Sequence, residues 1–139
     1  MSWIVWSLLS ALFAGATAIL AKQGVASVDS NLATAIRTSV ILVIAWAIAI
    51  ATVPVSAISN IGRRSLVFLI LSGVATGLSW LCYFRALQLG EASRVAPLDK
   101  LSVVFVVVFA TLFLGERLTP LGIAGAAFIT FGALLLAIK

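Results

Sequence analysis

The chain has no histidine, one cysteine (Cys82) and four carboxylate residues among its 139 positions. A lone cysteine cannot form an intrachain disulfide, and without histidine or a second thiol it has no partner for a metal site. No pair of side chains suits the roles of nucleophile and base, and no glycine-rich phosphate loop is present. The sequence therefore predicts a protein that is not an enzyme and that uses no cofactor or metal.

Charge is scarce as well. Only 9% of the residues are charged, 63% are hydrophobic, and the mean hydropathy is +1.27. A soluble domain of this size needs more charged surface, whereas long apolar stretches separated by short polar breaks are typical of an integral membrane protein. The apolar stretches lack the alternation of polar and apolar residues found in barrel strands. We therefore predict an all-α membrane protein embedded in the lipid bilayer.

The net charge of +5 raises the question of a nucleic-acid partner. The basic residues lie singly at the ends of apolar segments, which suits contact with lipid headgroups. No basic stripe or nucleic-acid-binding motif is present, so we expect no nucleic-acid partner.

The apolar segments are about 20 residues long, enough to cross the ~30 Å hydrocarbon layer as helices. Thr119 has the features of an N-cap, with Pro120 in the first helical position. We predict one domain, residues 1–139, with five transmembrane helices at about 3–21, 32–53, 65–89, 95–114 and 120–138.

The loops predict the membrane orientation only weakly, because both sides carry arginine or lysine. Insertion in both orientations and insertion in one orientation both stay open. The N-terminal side would hold Arg63, Arg64 and Arg117, and the opposite side Lys22, Arg94 and Lys139, with Arg37 and Arg85 if they reach it.

Asp99 and Lys100 lie inside the fourth apolar segment. A charged side chain at the centre of a membrane helix costs about 2.5–3.5 kcal/mol on insertion scales, so such residues usually serve a function. Neighbouring residues point about 100° apart on a helix, so we expect each to meet a group on another helix or in a water-filled cavity. The alternative is that both lie at the membrane interface and that the span begins at Leu101.

Three further residues are candidates for a substrate or ion pathway. Arg37, in the first turns of the second helix, either extends to the headgroups or points inward to pair with Asp99. Trp80 and Tyr83 are three residues apart and share a helix face, where they either line a cavity or fill space between helices. Arg37 and Lys100 together favour a substrate with an anionic or zwitterionic group.

Gly125 and Gly132 lie seven residues apart on one face of the fifth helix. Small residues allow two helix backbones to approach closely. We expect this face either to form a subunit interface or to pack within the chain.

The chain resembles the drug/metabolite transporter superfamily, as a single EamA-type repeat. The resemblance covers essentially the whole chain. It is most specific in Tyr83-Phe84-Arg85-Ala86-Leu87, Ala92-Ser93-Arg94-Val95-Ala96-Pro97-Leu98, Leu114-Gly115-Glu116-Arg117-Leu118 and the stretch 122–132.

The resemblance implies five transmembrane helices forming one repeat, where typical members join two repeats of opposite orientation around a central cavity. It implies a secondary transporter of a small metabolite in the inner cell membrane, working by alternating access as a homodimer, with an antiparallel arrangement as one option. The alternative function is a non-transporting or heterodimeric membrane subunit, including a component of a lipid-linked sugar flippase.

Overall fold

A computed structural model describes residues 2–54 and 56–138, so Met1 and Lys139, the ends of the predicted domain, lie outside the described residues. All regular structure in the described part is helical. The elements are α1 (Trp3–Gly24), α2 (Ser30–Thr52), α3 (Ser56–Ser59), α4 (Arg63–Leu89), α5 (Ala92–Asp99), α6 (Ser102–Phe109), a π-helical turn (Ala110–Leu114) and α7 (Pro120–Ala137).

Five helical segments of the described residues are long and apolar enough to cross a membrane: Trp3–Gly24, Ser30–Thr52, Arg63–Leu89, Ala92–Leu114 and Pro120–Ala137. Large apolar side chains along these segments are exposed, for example Phe113 at 79% and Leu121 at 82%. Water would make such a surface unfavourable, whereas lipid tails solvate it. The predicted fold class, an all-α membrane protein with five transmembrane helices, is confirmed.

Residues 23–88 form one compact unit, built on α2 and α4. Gln88 bonds to the Val28 carbonyl and Arg37 lies over the Trp80 ring. Because the first pair joins the start of α2 to the end of α4 and the second pair lies further into both, the two helices run antiparallel. Asp29 begins α2 by accepting hydrogen bonds from the backbone N–H groups of Asn31 and Leu32, as N-caps do.

The second compact unit comprises the described part of residues 1–22 and 89–139. In this unit α5 and α6 pack against α7. The Lys22 ammonium at the end of α1 donates a 2.7 Å hydrogen bond to the Gly90 carbonyl just before α5. Thr119 accepts a hydrogen bond from the Gly122 N–H and Pro120 is the first residue of α7, as the sequence predicts.

The fourth span is not the single uninterrupted helix predicted for about 95–114. Pro97 lies inside α5, where it has no N–H to donate to the preceding turn. The backbone then tightens: the N–H groups of Lys100 and Leu101 bond three residues back, to the carbonyls of Pro97 and Leu98. This 3₁₀ pattern is what separates α5 from α6.

Gly115 ends the fourth span. Its φ of 68° is the left-handed conformation, which glycine adopts without the penalty that a Cβ brings. In that conformation the N–H groups of both Gly115 and Glu116 bond to the Ala110 carbonyl, closing the π-helical turn. The break predicted at this position follows from that geometry.

Candidate substrate pathway

Arg37 is held inside the α2–α4 unit by aromatic rings. Its guanidinium carbon lies 4.3 Å from the centre of the Trp80 ring and 5.3 Å from the centre of the Phe84 ring. Both distances fall within the range of cation–π attraction. Arg37 therefore points toward α4, where its charge is supported by the electron-rich faces of two rings.

Tyr83 belongs to the same group of residues. Its ring meets Phe84 edge-on, with 6.4 Å between centres and 65° between planes. Phe84 is buried, whereas Tyr83 and Trp80 are partly exposed. The structure thus brings Arg37, Trp80 and Tyr83, three of the five predicted pathway residues, together in one unit.

Asp99 and Lys100, the other two, form an ion pair with each other, with 3.6 Å between Oδ2 and Nζ. The expectation that neighbouring residues would point away from each other, each to a separate partner, is wrong for this pair. The four-carbon lysine stem is long enough to fold back, and the backbone tightens to a 3₁₀ turn at Lys100. Both side chains keep substantial exposure, 56% for Lys100 and 39% for Asp99.

Lys100 also lines a shallow, largely open groove of about 450 Å³ beside α5 and α7. Its other walls are apolar, and Lys100 is the one charged residue among those that line it. The lining includes Ala96, Pro97, Phe128, Ile129, Gly132 and Ala133.

Gly132, predicted at a subunit interface, thus lines this groove. Apart from the neighbouring residues and backbone of its own helix, a Cβ added at Gly125 or at Gly132 would meet no atom of the described residues within 4 Å. The space beside both glycines is therefore open to another helix or to a ligand, and the interface assignment stays a prediction.

Sequence reasoning missed two contributors. Phe84 follows Trp80 by four residues and so shares its helix face, a spacing that would have identified the second ring near Arg37. Pro97 stands inside an apolar segment, which is itself a signal of a helix break. Pairing of Arg37 with Asp99 also stays a prediction.

The sequence matches the EamA-like transporter family over residues 1–138. The chain belongs to the EamA-like transporter family. It is a multi-pass membrane protein of a transporter family rather than of an enzyme family.

This EamA-family chain is similar to a protein of Sinorhizobium sp described as an uncharacterized transporter in the cobO 3′ region. The two are 58% identical over 137 residues, which cover 99% of this chain and 97% of the relative. The relative therefore also has the length of one five-helix repeat. No solved structure matches the chain.

Proposed function

We propose that this chain is a secondary transporter that moves a small metabolite across the inner cell membrane by alternating access. The observation that carries the proposal is the break in the fourth span at Asp99 and Lys100. Transporters of several folds bind their substrates where transmembrane helices are discontinuous, because backbone groups and charges there become available to a ligand. An ion pair beside a helix break costs insertion energy that a purely structural span would avoid.

The substrate is sought by comparing metabolites in the medium of cells that lack the protein with those of cells that overproduce it. A metabolite whose amount in the medium depends on the native protein is then tested for flux in liposomes containing purified protein. Asp99→Asn is the matched variant, since it removes one charge and keeps the shape. We expect normal insertion and lost flux. An unchanged metabolite pool would contradict the proposed transport, and full flux in Asp99→Asn would contradict the role of Asp99.

We further propose a homodimer, with an antiparallel arrangement that would place two copies of the repeat in opposite orientations. The single-repeat length of the Sinorhizobium relative, the weak charge bias between the two membrane sides and the open space beside Gly125 and Gly132 support it. An odd number of spans puts the two ends of the chain on opposite membrane sides. Reporters fused after the C-terminus, one active only in the cytoplasm and one only outside, test the orientation.

Signal from both reporters supports the antiparallel homodimer. Signal from one reporter contradicts it and turns the search to a parallel oligomer or to an oppositely oriented partner chain. That second result favours the alternative, a heterodimeric or non-transporting subunit, including a component of a lipid-linked sugar flippase. The open apolar groove with Lys100 at its edge supports the flippase reading, because it suits a lipid tail next to a phosphate. Movement of a fluorescent polyprenyl phosphate between liposome leaflets tests it.

A further inference from the structure

Arg37 is anchored well inside α2. It follows Ser30, the first residue of the helix, by seven positions, which corresponds to about 10 Å along the axis. Trp80 precedes Leu89, the last residue of α4, by nine positions, or about 14 Å. Because the guanidinium contacts the Trp80 ring, it stays at that depth and does not extend to the nearer end of the helix.

The charge of Arg37 has no counter-charge in its unit. Asp29 is the one acidic residue in the stretch 23–88, and its carboxylate is used to cap α2. Among the described residues of that stretch, no group accepts a hydrogen bond from Arg37, whose contacts are with aromatic rings. A ring face interacts with the charge and leaves the five N–H donors of the guanidinium unused.

The other cations near candidate pathway residues are engaged. Lys100 pairs with Asp99, Arg94 with Glu91 at 3.0 Å, and Arg85 donates to the Gln88 side chain at 2.6 Å. The Arg37 guanidinium is therefore held in place by two rings and has N–H donors available for a ligand. Arginine binds planar or tetrahedral oxyanions through two parallel hydrogen bonds.

We propose that Arg37 binds an oxyanion group, a carboxylate or phosphate, carried by a small water-soluble molecule, with Trp80 and Phe84 as positioning residues. This inference rests on the proposed transport function and specifies the class of its substrate. It assigns the oxyanion of that substrate to Arg37 rather than to Lys100, because Asp99 already pairs with Lys100.

The test uses Trp80 as a local reporter. Replacing Trp3, Trp6 and Trp46 by phenylalanine leaves Trp80 as the single tryptophan of the four in the chain. The full-length variant is purified in a maltoside detergent, which contains no phosphate. Its emission is quenched with iodide, an anion, and with acrylamide, which is neutral. We expect saturable iodide quenching that acetate or inorganic phosphate relieves and tetramethylammonium does not.

In the same background, Arg37→Gln should weaken iodide and acetate binding by about ten- to a hundredfold, the effect of losing a charge-assisted hydrogen bond. Arg37→Lys keeps the charge but loses the two-pronged geometry, so an intermediate loss is expected. Arg64→Gln is the matched control, because Arg64 also lies near a ring, Phe68, at 6.0 Å but is the second residue of α4. Acrylamide quenching should be equal in all four proteins, which reports an unchanged fold.

Equal iodide quenching in the native-Arg37 and Arg37→Gln proteins would overturn the inference. Adding phosphatidylglycerol distinguishes a lipid headgroup from a soluble molecule as the source of the oxyanion. If this lipid abolishes iodide quenching while acetate and phosphate do not, the site binds a lipid headgroup, and the proposal of a soluble ligand is overturned. Flux measurements separate this inference from the function. A transported substrate without an oxyanion, unaffected by Arg37→Gln, removes the inference and keeps the transporter. Arg37-dependent acetate binding without flux of any substrate would keep the oxyanion site and contradict the transport function.

Discussion

Lys100 Nζ lies 3.6 Å from Asp99 Oδ2, where the fourth span leaves α-helical hydrogen bonding. Two neighbouring charges that neutralise each other lower the cost of placing either one in a membrane segment. The pair has two interpretations that an experiment can separate. Either it serves only to cancel charge, or its groups take part in transport.

A double variant, Asp99→Asn with Lys100→Gln, distinguishes these interpretations. It has no net effect on charge and removes both ions, so insertion should equal or exceed that of the native chain. If the groups take part in transport, flux of the identified substrate should be lost although the protein is inserted. The measurement is initial flux in liposomes per inserted protein.

The matched control for the double variant is Glu91→Gln with Arg94→Gln, which removes the ion pair at the start of α5. That pair is three residues apart on one helix face, a geometry of small energetic value. Flux should stay near the native level. Native flux in the Asp99 and Lys100 double variant would show that the pair only cancels charge.

Pro97→Ala should make the protein more stable and less active. Alanine restores a backbone donor inside α5 and is favoured over proline in a helix interior by about 3 kcal/mol. If the break in the span is needed for alternating access, flux should fall while the thermal unfolding temperature in detergent rises.

Pro120→Ala serves as the control for Pro97→Ala, because Pro120 is at the first position of α7, where proline removes no helical hydrogen bond. Both flux and unfolding temperature should change little there. Unchanged or faster flux in Pro97→Ala would contradict a role for the break.

Gly115→Ala should destabilise the end of the fourth span. The position has a φ of 68°, and a Cβ in the left-handed conformation costs about 1–2 kcal/mol. Apart from Gly115 and its chain neighbours, no atom of the described residues lies within 4 Å of the added Cβ, so the loss would come from backbone strain and not from a clash. Thermal unfolding in detergent measures it.

Gly24→Ala is the matched substitution for Gly115→Ala. Gly24 is the last residue of α1 and, like Gly115, has open space beside it, but its φ is not positive. The unfolding temperature of the Gly24→Ala protein should stay at or above the native value. Equal effects of the two substitutions would contradict the strain argument.

Gln88→Ala should loosen the segment that connects α1 to α2. Gln88 donates to the Val28 carbonyl at 3.2 Å and accepts from Arg85, and one such hydrogen bond contributes about 1 kcal/mol. Amide hydrogen exchange in residues 25–29 should therefore become several-fold faster. Gln23→Ala, at an exposed glutamine in the last turn of α1, should leave the exchange rate unchanged, and equal rates in both variants would contradict the role of Gln88.

The sequence alone was enough to predict the membrane class and the number of spans, because a 20-residue apolar run without charges has few alternatives to a helix in lipid. Local signals were equally informative. Thr119 and Pro120 predicted the start of α7, and Gly115 with its neighbours predicted the end of the preceding span, since capping depends on residues next to each other in the chain.

The partners of individual side chains could be identified only from the tertiary structure, because they depend on how helices distant in sequence are placed. The sequence left open whether Arg37 extends to the headgroups or points inward; contact with α4, more than forty residues later, decided this in favour of the Trp80 ring. A regular helix places neighbouring side chains about 100° apart and so predicts no ion pair between Asp99 and Lys100. The pair forms where the backbone tightens after Pro97. Composition and periodicity thus determined where the chain crosses the membrane, and packing between helices decided which of its charges have partners.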